Sequence, residues 1–374
     1  MALENNFTVE VICFDFKNWS NENNEKLKEE LTSVKFIIIP SGRRPFLSWL
    51  FSVLSEQLSG KLILFFKSER LMANAVSRRS RLIIKNLDKA SKPDWVIGHN
   101  PGALYATKFA TEKFNCKAGF DVEDYHPGEG NNVHLQRLTK QLMQQVLPKM
   151  DYVSFAAPLI MEEVKKDMDC DTANWFTVLN YFPSEEFSLP PNPLSGPLRL
   201  VWFSQNISFG RGIELILPTV KACQEDMQLH LYGNVDEDFK KLNLNGIDNI
   251  FLHGAVPQKL LHKQLAMYDV GLALEPAKDK NNDLAISNKL LSYLQAGLFV
   301  IATNTKGQQN FMSNLPDMGV CFDYKKNNSD DILRDILNNM GSISANRKAR
   351  FEKFEINNWK TESFLLHKTW NDFR

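Results

Sequence analysis

Residues 287–304 read SNKLLSYLQAGLFVIATN, and this stretch decides the fold. Ser287 supplies an N-cap hydroxyl, the segment from Asn288 to Ala296 reads as a helix, and Gly297 ends it. The apolar run from Leu298 to Ala302 then reads as a buried strand. A helix feeding directly into such a strand is half of a parallel crossover unit, so a doubly wound α/β sheet is expected around it.

The same alternation extends outward on both sides. Towards the N-terminus, Leu198–Phe203, Gln228–Tyr232, Ile250–Leu252 and Asp269–Leu274 read as strands, and residues 212–226 as a helix. Before them, residues 183–197 (PSEEFSLPPNPLSGP) concentrate prolines that neither continue a helix nor fit a central strand. This segment is expected to link two domains. Further upstream the alternation starts again: Phe7–Phe14, Val34–Ile39, Trp95–Gly98, Lys117–Asp121, Tyr152–Ala156 and Phe176–Leu179 read as strands. Leu104–Phe114 and Val133–Met150 carry the apolar spacing of covering helices. Residues 46–87 read as two helices, with Leu62–Phe66 equally readable as a strand. The expected organisation is an N-terminal domain over 1–182, the linker 183–197, a C-terminal domain over 198–355, and a terminal helix over 356–374 that crosses back to the first domain.

Bulk properties agree with two cores and narrow the function classes. A chain of 374 residues exceeds the usual size of one core. Lys+Arg and Asp+Glu both total 44, so no global charge steers the protein to nucleic acid. The five cysteines are scattered, without the close pairs of zinc sites or disulfide scaffolds. With no signal-peptide pattern at the N-terminus, the expectation is a cytoplasmic protein. No apolar run reaches membrane-spanning length.

In open parallel sheets ligands bind beyond the carboxyl ends of the strands. The loops after Phe203, Tyr232, His253 and Leu274 are therefore expected to face a cleft between the domains. The loop SQNISFGRG, residues 204–212, pairs the freedom of Gly210 and Gly212 with the fixed cation of Arg211 and suits a diphosphate. An ordinary glycine-containing turn with a solvated arginine is the plainer alternative. Ser287, Asn288 and Lys289 open the helix of the deciding stretch, where free amides and one lysine offer a second anion contact.

NKLLSYLQAGLFVIATN together with FGRGIELIL (209–217), NYFP (180–183), PDWVIGHNPGAL (93–104) and GFDVEDYHPGE (119–129) resembles the GT-B glycosyltransferases. The likeness is to the large retaining group containing bacterial mannosyl and lipopolysaccharide-core transferases, family-4-like in pattern. It implies two Rossmann-like domains facing across a cleft and transfer of a sugar from a nucleoside diphosphate donor, UDP- or GDP-linked, to a glycan, glycolipid or other hydroxyl acceptor. It further implies that Gly210, Arg211 and Lys289 meet the donor phosphates and that His99 approaches the transferred sugar. The segment from Gly119 to Glu129 stands where the family has an acceptor-side loop. The chain departs from the family at its pair of glutamates, where it has Leu284 and Ser292, so the resemblance puts Ser292 in the ribose-contacting position and leaves a sugar contact to Glu275, after the strand Asp269–Leu274. Gln205 replaces a further basic residue.

Developing charge on the departing diphosphate is expected to be met by Arg211, Lys289 and a helix N-terminus without a metal ion or other cofactor. If the transfer inverts, a carboxylate must take the acceptor proton, and Glu129, Asp124, Glu123 and Asp121 are the candidates. If it retains, no such base is required. The alternatives are a catalytically silent nucleotide-sugar-binding subunit and a nucleotide-sugar epimerase of the same fold.

The acidic string Asp167, Asp169, Asp171 lacks the glycine and glutamate of a calcium loop and reads as a solvated turn. His230, His253 and His262 lack metal-ligand spacing and read as surface or supporting residues. A basic, aromatic region from Arg43 to Lys85 remains. Its preferred reading is a helix pair that buries Phe46, Trp49, Leu50 and Phe51 in the domain core; the alternative is peripheral contact with a membrane surface.

Overall fold

The computed structural model describes residues 7–16, 21–191, 196–323, 325–326 and 329–371. Contacts divide the chain into two compact units, one of Met1–Val178 with Ser363–Arg374, the other of Leu179–Glu362. Residues 192–195 of the expected linker lie outside the described residues.

In the first unit, β1 (Glu10–Asp15) and β2 (Lys35–Pro40) form a parallel pair connected by the helix Asn21–Glu30. A four-stranded parallel sheet follows in chain order: β3 (Trp95–His99), β4 (Lys117–Val122), β5 (Tyr152–Phe155) and β6 (Trp175–Thr177). Among the described residues, β1 and β2 pair only with each other. The covering helices Pro101–Phe114, Val133–Val146 and Pro158–Lys165 make the crossovers. The second of these ends earlier than its apolar spacing suggests. Pro148 lacks the amide a continuing helix needs, and the chain tightens into a 3-10 turn over Leu147–Lys149. The last helix, Phe364–Asn371, belongs to this unit, where Trp370 Nε1 donates to the Tyr152 hydroxyl at 3.3 Å.

Residues 46–87 correct the two-helix reading: they form three helices, Phe46–Leu62, Glu69–Val76 and Arg79–Asn86, and residues 63–68 are turn and coil, not strand. The burial expected for the first helix is also overturned. Phe46 and Phe51 are exposed, Trp49 and Leu50 only partly covered, and the buried residues are Ser52 and Ser59.

The second unit is built on a six-stranded parallel sheet: β7 (Leu198–Ile207), β8 (Met227–Val235), β9 (Ile250–His253), β10 (Val270–Ala273), β11 (Phe299–Thr303) and β12 (Gly319–Phe322). Their spatial order is β12-β11-β10-β7-β8-β9, which reverses between β7 and β10. That reversal is the topological switch point of a doubly wound sheet. Residues 212–226, expected as one helix, are a 3-10 turn over Ile213–Leu215 and a short helix Leu217–Ala222. Pro218 sits in the first turn of the latter and cannot supply the amide of a helix running through it. Trp202, Leu229, Leu231, Val270 and Leu272 are almost wholly buried, as strands covered on both faces require. Gly271 has a specific task. A β-carbon there would meet the Tyr293 ring at 2.2 Å, so glycine lets the helix Asn288–Gln295 lie close against β10.

Candidate functional site

At the switch point of the second unit, β7 and β10 lie side by side, and the loops that leave them run together. Gly212 has φ 94°, and a β-carbon there would sit 2.9 Å from the Leu274 carbonyl oxygen. The glycine therefore joins the two loops. Gly210 has φ 69°, and Lys278 Nζ lies 3.6 Å from where its β-carbon would be. Glu214 holds this loop in shape by accepting from both the Gly210 and Gly212 amides, the latter at 3.0 Å. Arg211 and Lys278 are exposed, and among the described residues neither forms an ion pair.

The loop after β10 is tightly tied. The Glu275 amide donates to Thr303 Oγ1 at 2.9 Å, and that hydroxyl donates back to the Glu275 carbonyl at 2.8 Å. Two residues on, Ala277 has φ 45°, a left-handed conformation that costs a residue with a β-carbon about 1–2 kcal/mol. Backbone strain of this kind collects at ligand sites. Lys289 Nζ pairs with Glu275 Oε1 at 2.6 Å and sits 5.9 Å from the centre of the buried Trp202 ring. Ser287 accepts from the Lys289 amide at 3.2 Å and caps the helix, while Asn288 is exposed at its start. Gly210, Arg211 and Glu275 thus lie on loops leaving the sheet at its carboxyl edge, and Ser287, Asn288 and Lys289 form the start of the helix whose Lys289 pairs with Glu275.

Ser292 lies differently. It is fully buried one turn into the helix; its hydroxyl donates to the Asn288 carbonyl at 2.8 Å and faces His262 Nε2 at 3.4 Å. His262 Nδ1 is 2.7 Å from Glu186 Oε2. Serine, histidine and carboxylate stand in the order of a nucleophilic triad, but all three are buried, and the serine proton is committed to a carbonyl. The network fixes the helix that carries Lys289. Of the surface and supporting readings of His262 it favours the second, and burial lowers the His262 pKa although Glu186 opposes the shift.

In the first unit, register builds a second cluster. His99 ends β3 opposite Asp121 on β4, and Asp121 stands opposite Ser154 on β5. His99 Nδ1 is 3.3 Å from Asp121 Oδ2 and 3.2 Å from Glu123 Oε1, and Ser154 donates to the other Asp121 oxygen. Asn100, at φ 67°, turns the chain into the next helix and donates to Glu123 Oε2 at 3.5 Å. Burial works to lower the His99 pKa, but Glu123 and Asp121 outweigh it and leave it raised. Burial raises the Asp121 pKa against His99 and Ser154, whereas the His99 hydrogen bond lowers that of Glu123. Asp124 is half-buried in the following loop. Glu129 Oε2 lies 3.0 Å from Nδ1 of the buried His126.

Sequence reasoning did not single out Lys278, Glu214 or Ala277. Glu214 carries one legible signal, an acid at the start of a helical turn next to two glycines; Lys278 carries none. The cluster around His99 brings Asp121 and Glu123, rather than Asp124 and Glu129, against the imidazole. Among the described residues no group of three or more His, Cys, Asp or Glu is arranged to hold a metal ion, and no helix is long and apolar enough to cross a membrane.

No protein-family model and no curated protein matches the chain. Solved structures do. HepE of Anabaena, solved in complex with UDP, is similar with a TM-score of 0.63 at 10% identity over 96% of this chain and 92% of its own. Sucrose-phosphate synthase of Thermosynechococcus elongatus is similar with 0.63 at 12% identity, over 97% and 98%. TarM of S. aureus matches with 0.58 at 19% identity, over 79% of this chain and 58% of its own. The chain thus spans about three fifths of TarM's length. At such identities the likeness establishes the fold, which is GT-B, with two Rossmann-like α/β domains.

Proposed function

We propose that the protein is a glycosyltransferase that takes a sugar from a nucleoside diphosphate donor to a glycan, glycolipid or other hydroxyl acceptor. The observation that carries this reading is the switch point of the second sheet. Gly210 and Gly212 there let the backbone approach closely, and Arg211, Lys278 and Lys289 gather around the loops. A diphosphate leaving group develops negative charge as the glycosidic bond breaks, and fixed cations stabilise it without a metal ion. On donor binding, Lys289 turns from Glu275 to the phosphates and frees that carboxylate for a sugar hydroxyl. UDP is the first donor nucleotide to try, because HepE was solved with it; GDP is the second.

Acceptor chemistry falls to the first unit. His99, held by Glu123 and Asp121, approaches the transferred sugar, and Asp124 and Glu129 lie on the same acceptor-side loop. If the reaction needs a base, Asp121 is the best placed, since it lies against His99 and burial raises its proton affinity above that of an ordinary carboxylate. The sequence motifs support placing the enzyme in the retaining, family-4-like group.

Incubation with UDP-glucose, UDP-N-acetylglucosamine and GDP-mannose, with and without a panel of glycan and glycolipid acceptors, tests the reading. Acceptor-dependent release of free nucleoside diphosphate is expected from one donor. A second reading follows from Ser292. Its hydroxyl is spent inside the domain, leaving that helix without a ribose-binding carboxylate. A silent binding subunit would bind the nucleotide yet release none from any donor.

A further inference from the structure

The helix Phe46–Leu62 is built inside out. Ser48, Ser52, Ser55 and Ser59 recur at helical spacing and form its inner stripe, with Ser52 and Ser59 buried where it packs against the helix Glu69–Val76. One position earlier, at the same spacing, Leu47, Phe51, Leu54 and Leu58 form an outer stripe, with Leu47 66% and Phe51 61% exposed. Small side chains inside bring the two helices close, and Leu47, Phe51, Leu54 and Leu58 are left outside. The turn that follows extends the surface: Leu64, Phe65 and Phe66 are all exposed, Phe65 to 80%. Scattered exposed leucines are ordinary, but a stripe three turns long continued by three consecutive apolar residues marks a contact surface.

Charge identifies the occupant. Arg43, Arg44, Lys61, Lys67 and Arg70 are exposed at the ends of this apolar surface, and among the described residues none of them forms an ion pair. The one carboxylate of the helix, Glu56, turns inward and accepts from the Arg78 amide at 3.0 Å. Nearby Glu69 is already paired with Lys108 and Lys149. The outer face therefore presents hydrophobic side chains and cations without acids. This is the pattern of a helix lying in a lipid interface, with its apolar side chains below the headgroups and its cations against anionic ones.

We propose that this face, from Arg43 to Arg70, docks the protein peripherally on an anionic lipid surface. The inference concerns the first unit alone and does not depend on the transferase reading. Flotation of the intact protein with phosphatidylcholine vesicles, and with vesicles of equal parts phosphatidylcholine and phosphatidylglycerol, tests it. Binding is expected to the anionic vesicles at least about tenfold more strongly than to the neutral ones, and to weaken in high salt. Phe51→Ser with Leu54→Ser and Phe65→Ser should abolish flotation with thermal unfolding unchanged, because the replaced side chains are exposed. Should that variant unfold, Arg43→Ala with Arg44→Ala gives the independent reading, a loss of roughly an order of magnitude in partitioning. Equal binding to both vesicle types, or no binding to either, overturns the proposal. A dimer in light scattering that the serine variant dissolves, with no flotation, assigns the face to a second copy of the chain instead.

Discussion

The two parallel sheets handle charge in opposite ways. In the second unit the strand order reverses, so the loops after β7 and β10 leave side by side; Lys278 comes beside Gly210, next to Arg211, and Lys289 pairs with Glu275 on the second loop. In the first unit β3 to β6 lie in chain order, and one register row sets His99, Asp121 and Ser154 abreast with Glu123 close by. One edge gathers cations and the other carboxylates around an imidazole. On the proposed reading, a phosphate-bearing donor and a hydroxyl-bearing acceptor call for that division. It also predicts that damage to one edge leaves the other's property intact.

The harshest way to break the contrast is Gly233→Ala. A β-carbon there would sit 1.9 Å from the Ser204 carbonyl oxygen, at a φ of 139° that other residues rarely adopt. Two strands, β7 and β8, would have to part near their carboxyl ends, and a loss of about 3 kcal/mol or more is expected in urea unfolding. Gly246→Ala is the matched control, since its φ is 70° but its surroundings are open. It should cost only about 1–2 kcal/mol. Equal losses would show that the close approach of β7 and β8 does not matter.

Next in size is the separation of binding from turnover. Arg211→Ala should weaken nucleoside diphosphate binding by about 1–3 kcal/mol, as loss of a charged hydrogen bond does, and leave the unfolding midpoint in place. His99→Gln should leave that affinity unchanged and lower transfer. Titration calorimetry checks the first pair of statements and product release the second. A parallel fall in affinity in both variants would merge the two roles.

A smaller effect depends on pH. His230 Nδ1 and His253 Nε2 are 3.0 Å apart, and burial, with its neighbour adding, lowers the His230 pKa to about 4 from an ordinary 6.5. The unfolded chain then binds the proton more readily than the folded one between those values. Stability is full above pH 6.5 and falls as the pH drops towards 4. His230→Gln should flatten the slope of unfolding free energy in that window, and an unchanged slope would remove the pair from the account. The smallest expected change comes from Ala277→Gly. It relieves the left-handed strain at the cost of chain entropy, for a net gain of about 0.5–1 kcal/mol.

The parts of this architecture that local chemistry fixes were legible in the sequence. Ser287, Gly297 and the run of residues 298–302 marked a helix, its end and a buried strand, and the structure has them at those places. Gly210 and Gly212 marked a turn that needs positive φ. What was not legible depends on partners distant in the chain. β12, reading GVCF, is too short to show a period. Lys278 reaches Gly210 only because the sheet order reverses between β7 and β10. In the helix Phe46–Leu62 two stripes share one spacing, so periodicity alone does not say which faces in; packing chose the serines. Asp121 and Glu123 were visible as acids, but only strand register sets Asp121 opposite His99, and Glu123 reaches the same imidazole from just beyond β4.

The most direct test is calorimetric titration of the intact protein with UDP and GDP, each beside its parent nucleoside, in wild type and in the Lys278→Ala variant. A diphosphate held at the switch point predicts binding of one nucleoside diphosphate, at least about tenfold weaker binding of its nucleoside, and a loss of about 1–3 kcal/mol in the variant. Binding of nucleoside and diphosphate with equal affinity, or of neither, would contradict a donor site among these cations.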